Sequence, residues 1–404
     1  MSGPAPAPAS IRSPLGLAAA AVPVLAVVVL AALWGRHLPA IAEIFIVALL
    51  TCSVLAAVHH AEVVAHRVGE PFGSLILAVA VTVIEVGLII SLMTSGGSSA
   101  ASLARDTVFA AVMITCNGIV GLSLLLSALR DRTAQFNPEG TGAALATVIT
   151  LATLGLVLPA FTTSTPGPEF SGPQLLFAAA TSLALYGLFV FVQNVRHRDY
   201  FLPVHTPDHP PAPAGDGTAT TSGTATTSGT ATTSGTATGD GTVTDDEHAP
   251  IPSLKSTLTS LGLLLAALIG VVGLAKVESA TIERAVAAAG LPQAVVGVVI
   301  ALLVLLPETL AAGRNARRGR TQISLNLALG SAMASIGLTI PAIAVASIWL
   351  GGPLLLGLGA TQIVLLALTA GVGILTVMPG RATLLQAAVH LCLCAAYLLL
   401  AANP

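Results

Sequence analysis

Glu85 and Glu308 each stand inside a long apolar run, SLILAVAVTVIEVGLIISLM and AVVGVVIALLVLLPETLAA, one in each half of the 404-residue chain. An acid in hydrocarbon costs about 2.5–3.5 kcal/mol on insertion scales, so such a side chain faces a partner, a cavity or an ion. A matched pair, one per half, implies a cation site between two related halves of a transport protein. Two facing carboxylates hold one divalent cation or two protons, but not both sets. Without the ion, desolvation and like-charge repulsion favour the protonated forms, and the pair titrates as one coupled unit. Competition at one alternately exposed site exchanges the two kinds of ion without ATP, and the chain carries no Walker A sequence.

Other oxygens are expected near the carboxylates. Pro307 precedes Glu308; inside a helix it removes one hydrogen bond and clashes with the turn before it. That frees the Leu303 carbonyl as an oxygen at membrane depth. The span following each glutamate carries a small, polar patch, MITCNG at 113–118 and GSAMAS at 330–335. Thr115 lies 30 residues after Glu85, and Ser335 lies 27 after Glu308. Thr115, Asn117, Ser331 and Ser335 are expected along the ion path, with Thr82 just before Glu85 and Asn326 near the inner end of the ninth span. Ordinary close packing of helices through small residues accounts for Thr115, Ser331 and Ser335 about as well.

The elements that position these residues follow from composition. The chain is 54% hydrophobic and 8% charged, with mean hydropathy +0.90, against about 25% charge in a soluble domain. It reads as an all-α, polytopic membrane protein. A net charge of −2 gives no reason to expect nucleic acid or any polyanion as a partner; the partners are the lipid bilayer and the transported cations. The four cysteines lie in apolar runs, and Cys392-x-Cys394 lacks zinc or redox spacing. Eleven stretches are long enough to cross as helices: about 15–34, 39–58, 72–93, 107–128, 142–162, 173–194, 254–275, 291–312, 323–348, 353–377 and 382–402. The first is read as a retained helix rather than a cleaved signal peptide. Glycines at 351, 352, 357, 359, 371 and 373 weaken the tenth.

Placing the N-terminus inside puts twelve of the sixteen Lys and Arg residues on the cytoplasmic side, leaving Arg36, Arg105, Lys276 and Arg284 outside. This bias orients the chain N-in and C-out across an inner membrane. The segment 195–253 contains three TATTSG copies and then Asp240, Asp245, Asp246 and Glu247; with no apolar face to bury, it is expected to be a disordered cytoplasmic linker. The predicted organisation is therefore a tail and leading helix at 1–38, a five-helix repeat at 39–194, the linker, and a second repeat at 254–404. An odd number of spans per repeat inverts the second half against the first.

Remaining polar residues have plainer readings. Glu43 is placed at the outer interface. His59, His60, Glu62, His66 and Glu70 are read as an exposed amphipathic connector whose histidines change charge near neutrality. The run Arg314 to Arg320 anchors a cytoplasmic loop, and His390 and Gln386 are read as interhelical hydrogen-bond partners deep in the last span.

Several stretches resemble the calcium/cation antiporter superfamily, specifically its bacterial ChaA-type calcium/proton antiporters. GEPFGSLIL at 69–77 and the Ile84-Glu85-Val86 core resemble the first repeat; Pro307-Glu308 and the Asn326 to Ser331 stretch resemble the second. Tyr186-Gly187 and AVHL at 388–391 are also similar. The resemblance covers about 40–402 apart from the linker. It implies that Glu85 and Glu308 coordinate the transported cation. Where many relatives have Gly-Asn before the first glutamate, this chain has Thr82-Val83. The expected function is export of Ca²⁺ in exchange for protons, with Na⁺ or K⁺ exchange as the alternative. A passive channel fits paired midplane acids in inverted halves less well. No H-E-x-x-H sequence or nucleophile–base pair suggests an enzyme, and no cofactor is expected.

Overall fold

A chain crossing hydrocarbon must satisfy its peptide groups internally, and these apolar runs do so as helices. The computed structural model describes residues 14–34, 40–69, 72–94, 101–203, 252–349 and 352–404. Its helices are α1 (Pro14–Leu33), α2 (Ala40–Val68), α3 (Phe72–Met93), α4 (Leu103–Met113), α5 (Val120–Asp131), α6 (Pro138–Ala152), α7 (Gly172–Phe191), α8 (Leu254–Ala288), α9 (Ala294–Arg317), α10 (Thr321–Ala346), α11 (Ala360–Val377) and α12 (Leu384–Ala402). A π-helical turn, Ile114–Ile119, joins α4 to α5 in a single span, so the described residues form eleven candidate membrane spans. Two short strands, β1 (Ala134–Gln135) and β2 (Arg381–Ala382), pair antiparallel and tie the loop after α5 to the loop before α12.

The two halves turn alike. Gly69 (φ 75°) closes α2 before α3, and Gly290 (φ 67°) closes α8 before α9. Both take the left-handed conformation that ends helices and suits glycine. The halves also run in opposite senses. Arg67, near the end of α2, donates to the Pro252 carbonyl just before α8 (2.6 Å). Arg284, near the end of α8, pairs with Glu43 at the start of α2 (3.3 Å). Helices α2 and α8, the first of each half, are therefore antiparallel neighbours. The pairing is reciprocal further in: α3 packs on α10, and α9 packs on α4 and α5.

Two large apolar cores result. One gathers α4 to α7 with α10, α11 and α12; the other gathers α1, α2, α3 and α8. Helix α9 serves both, through Val298, Ala301 and Leu305 on one side and Val296, Ile300 and Val304 on the other. Helix α3 likewise sets Ala78 against the first core and Ile84 and Leu88 in the second. The glutamate-bearing helices thus occupy the seam.

Several element boundaries differ from the sequence reading. Helix α2 continues through His59, His60, Glu62 and His66, which are therefore not a connector; Glu70 lies outside the described residues. His60 is buried against α1, its Nε2 3.0 Å from the Ala19 carbonyl oxygen. Helix α8 runs on to Ala288 because Thr281 and Arg284 meet Glu43 across the α2 interface. Arg314 and Arg317 belong to the last turns of α9. Helix α11 starts only at Ala360; before it, the Gly357 and Leu358 amides donate to Pro168 (2.8 Å) and Leu156 (2.9 Å) carbonyls. The expected linker begins later than residue 195, since π-helical Val192–Arg196 and 3₁₀-helical Arg198–Phe201 precede it and Phe201 is buried. Residues 204–251, with the TATTSG repeats and the acidic run, lie outside the described residues.

Candidate cation site

Seating α3 and α9 between the two cores buries the face of each that carries its glutamate. Glu85 is 2% exposed and Glu308 8%. Ser335, on α10 of the opposite half, donates its hydroxyl to Glu85 Oε2 at 2.9 Å. Thr339, one turn further along α10, also approaches this carboxylate, yet neither its hydroxyl nor Glu85 Oε1 completes a well-formed hydrogen bond. Glu308 Oε2 is likewise buried and unpartnered. The two carboxylates are near enough for Glu308 to act on Glu85 electrostatically. Buried polar atoms in proteins are nearly always satisfied, so these unpaired oxygens leave a place suited to a cation or to protons.

A cavity of about 360 Å³ reaches Glu308, lined also by Leu77, Tyr186, Gln193, Asn326 and Ser331. Leu77 lies in the second turn of α3, Asn326 in the second turn of α10 and Gln193 just after α7. The cavity therefore leads toward the end of the molecule where Arg67 meets Pro252. Asn326 is held at its wall: Nδ2 donates to the Phe201 carbonyl (2.6 Å) and Oδ1 accepts from Gln322 Nε2 (2.8 Å). Calcium takes 6–8 oxygen ligands, carboxylates among them. Two carboxylates, the Ser335 and Thr339 hydroxyls and water from the cavity can make up such a shell.

Other residues singled out in the sequence lie elsewhere. The Thr115 hydroxyl turns back to the Ala111 and Val112 carbonyls (2.7 and 3.1 Å). Asn117, in the π-helical turn, faces away toward α11 and α12: its amide donates to Thr369 Oγ1 (2.9 Å), and its Oδ1 lies 3.2 Å from His390 Nδ1. With His390 Nε2 3.1 Å from Thr376 Oγ1, this network satisfies a neutral imidazole. Thr82 lines a separate apolar groove between α3 and α8, with Val86, Gly87 and Val272. Helix α9 runs on through Pro307, and the Thr309 hydroxyl takes the Leu305 carbonyl (2.7 Å). Gln386 is not an interhelical partner; its Oε1 caps the first turn of α12 through the Thr383 amide (2.6 Å). Thr339 and Gln193 were not singled out from the sequence. Thr339 had a signal: Ser331, Ser335 and Thr339 recur every four residues, one face of a helix.

The sequence profile of the sodium/calcium exchanger protein family matches residues 24–195 and 259–402. The chain belongs to this family. It is 45% identical over 361 residues to y4hA of Sinorhizobium fredii, named as an ionic transporter, covering 88% of this chain and 87% of the relative. It is 34% identical over 381 residues to the sodium-potassium/proton antiporter ChaA of Escherichia coli, covering 93% and 94%. Two solved structures share the fold. Native YfkE superposes with a TM-score of 0.63 at 14% identity, covering 96% of this chain and 99% of that one. The H⁺/Ca²⁺ exchanger CAX gives 0.61 at 15% identity, covering 95% and 91%. Family membership and the eleven apolar helices make the chain a multi-pass cation antiporter. The family is one of transporters rather than catalysts.

Proposed function

We propose that this protein exports Ca²⁺ in exchange for protons, both competing for the site of Glu85 and Glu308, with Ser335 and Thr339 as supporting oxygens. The observation that carries this reading is the pair of buried carboxylates, one from each half, each with an oxygen that no protein group satisfies. Their two negative charges balance one Ca²⁺ or two protons, so the site stays near neutral through the cycle. The names of YfkE, a Ca²⁺/H⁺ antiporter, and of the CAX exchanger support calcium as the cation. Exchange of Na⁺ or K⁺ for protons is the second reading, favoured by the 34% identity to ChaA. In either case the protein is taken to lie in the inner membrane with its N-terminus in the cytoplasm and its C-terminus outside, an orientation the Lys and Arg bias supports. The cavity at Glu308 then opens to the cytoplasm, where an exported cation is loaded. Residues 39–194 and 254–404 act as inverted repeats behind a leading helix, joined by the cytoplasmic linker.

Proton flux in everted vesicles, challenged separately with Ca²⁺, Na⁺ and K⁺, tests the reading. Ca²⁺ is expected to release the accumulated protons at the lowest concentration. Glu85→Gln and Glu308→Gln are each expected to abolish this release at normal membrane abundance. Near wild-type exchange by either variant removes that residue from the site, and a response to Na⁺ or K⁺ alone moves the assignment to the second reading.

A further inference from the structure

Among the described residues, three buried carboxylates have an oxygen without a hydrogen-bond partner: Glu85, Glu308 and Glu278. The first two form the site above. Glu278 stands apart on α8, is 0% exposed, and leaves both Oε1 and Oε2 unpaired. It lies at the end of the molecule opposite the cavity mouth. Two residues before it, Lys276 reaches Thr94, just past α3 (3.0 Å). One turn after it, Thr281 Oγ1 donates to Glu43 Oε1 at the start of α2 (3.0 Å). Arg284 Nη2 reaches both Glu43 Oε1 (3.3 Å) and Thr281 Oγ1 (3.1 Å). Glu43 and Arg284 are the charged groups that act on Glu278.

A buried carboxylate with no donor is costly, and a second carboxylate beside it adds repulsion. Arg284 contacts Glu43 through a side chain that is 71% exposed, a position from which a guanidinium swings into solvent. A divalent cation between the two acids would engage up to four carboxylate oxygens and the Thr281 hydroxyl, and water can complete a calcium shell. We infer that Glu43 and Glu278, with the Thr281 hydroxyl, form a second divalent-cation site on the membrane face opposite the cavity, and that Arg284 yields its place to the cation. On the export reading this is the station that receives the ion on its way out; the binding itself does not depend on that reading.

Equilibrium binding of radioactive Ca²⁺ to the purified full chain in detergent tests the inference. The wild type is expected to bind at two sites, and Glu278→Gln or Glu43→Gln at one. The Glu85→Gln/Glu308→Gln double variant is expected to keep one site, lost when Glu278→Gln is added. Arg284→Gln should tighten this peripheral site, because the competing cation is gone. Unchanged stoichiometry in both Glu278→Gln and Glu43→Gln overturns the inference, as does a wild type with a single site lost in the double variant. Should the double variant not remain monodisperse, the wild type against Glu278→Gln and Arg284→Gln decides alone. A failure of the central site reads differently, as binding undiminished by Glu85→Gln/Glu308→Gln.

Discussion

The hydroxyl of Ser335 ties Glu85 to the opposite half of the chain at 2.9 Å. A hydrogen bond to a charged group contributes about 1.5–3 kcal/mol, which converts to roughly 10–100-fold in affinity. Ser335→Ala is therefore expected to raise the half-saturating cation concentration for exchange by that range, with Ser335→Thr retaining most of the wild-type value. A cation titration of proton release in vesicles reads both, and an unchanged Ser335→Ala profile removes the hydroxyl from the site. At this scale the sequence was informative wherever polarity conflicted with an apolar run, which is why Glu85 and Glu308 stood out. The direction of Asn117 was not legible. A polar residue at mid-span can face any neighbour, and the π-helical turn Ile114–Ile119 adds a residue to the helical count. That addition redirects the face and sends Asn117 to Thr369 and His390 rather than toward the carboxylates.

Helices were legible as existing and illegible at their ends. Hydropathy stops the second span at 58 and the seventh at 275, short of polar His60, Arg67 and Thr281, whereas in the fold His60 and Thr281 meet groups on other helices and Arg67 meets the Pro252 carbonyl just before α8. The same blindness hides close crossings. Gly297 of α9 lies against the α4 backbone, where an added Cβ would sit 2.8 Å from both the Asp106 carbonyl carbon and the Thr107 nitrogen. Backbone atoms cannot rotate aside, so Gly297→Ala must push α9 from α4, and overpacking of this kind costs about 1–3 kcal/mol. Since α9 carries Glu308, the expected result is a lower melting temperature in detergent and weaker exchange per folded molecule. Gly313→Ala on the same helix is the control, because its Cβ would meet only the tip of Leu126 at 3.7 Å. Equal melting temperatures for the two variants would show that α4 and α9 have slack the structure does not suggest.

At the scale of the whole molecule, two inverted halves each bring a buried, incompletely hydrogen-bonded carboxylate to the seam, and a cavity leads to Glu308 from one end. On the proposed reading the linker takes no part in exchange. Its TATTSG repeats offer no apolar surface, and loop-closure entropy changes slowly with length, so deleting 212–242 is expected to leave exchange intact; loss of exchange at normal abundance would give the segment a role. The shared site itself makes the stronger demand. If one Ca²⁺ and two protons occupy the same carboxylates, lowering pH on the cation-loading side must raise the apparent KM for Ca²⁺, because each proton removes a charge the cation needs. With Glu308 acting on Glu85, the protons bind as a coupled pair, and the rise should tend toward second order in proton concentration rather than first. His59, His60 and His66 place three further imidazoles on α2, so the titration belongs in a background where all three are replaced. A KM that stays flat with pH in both backgrounds would send the protons by a separate route. The competition mechanism would then fail even with both glutamates essential.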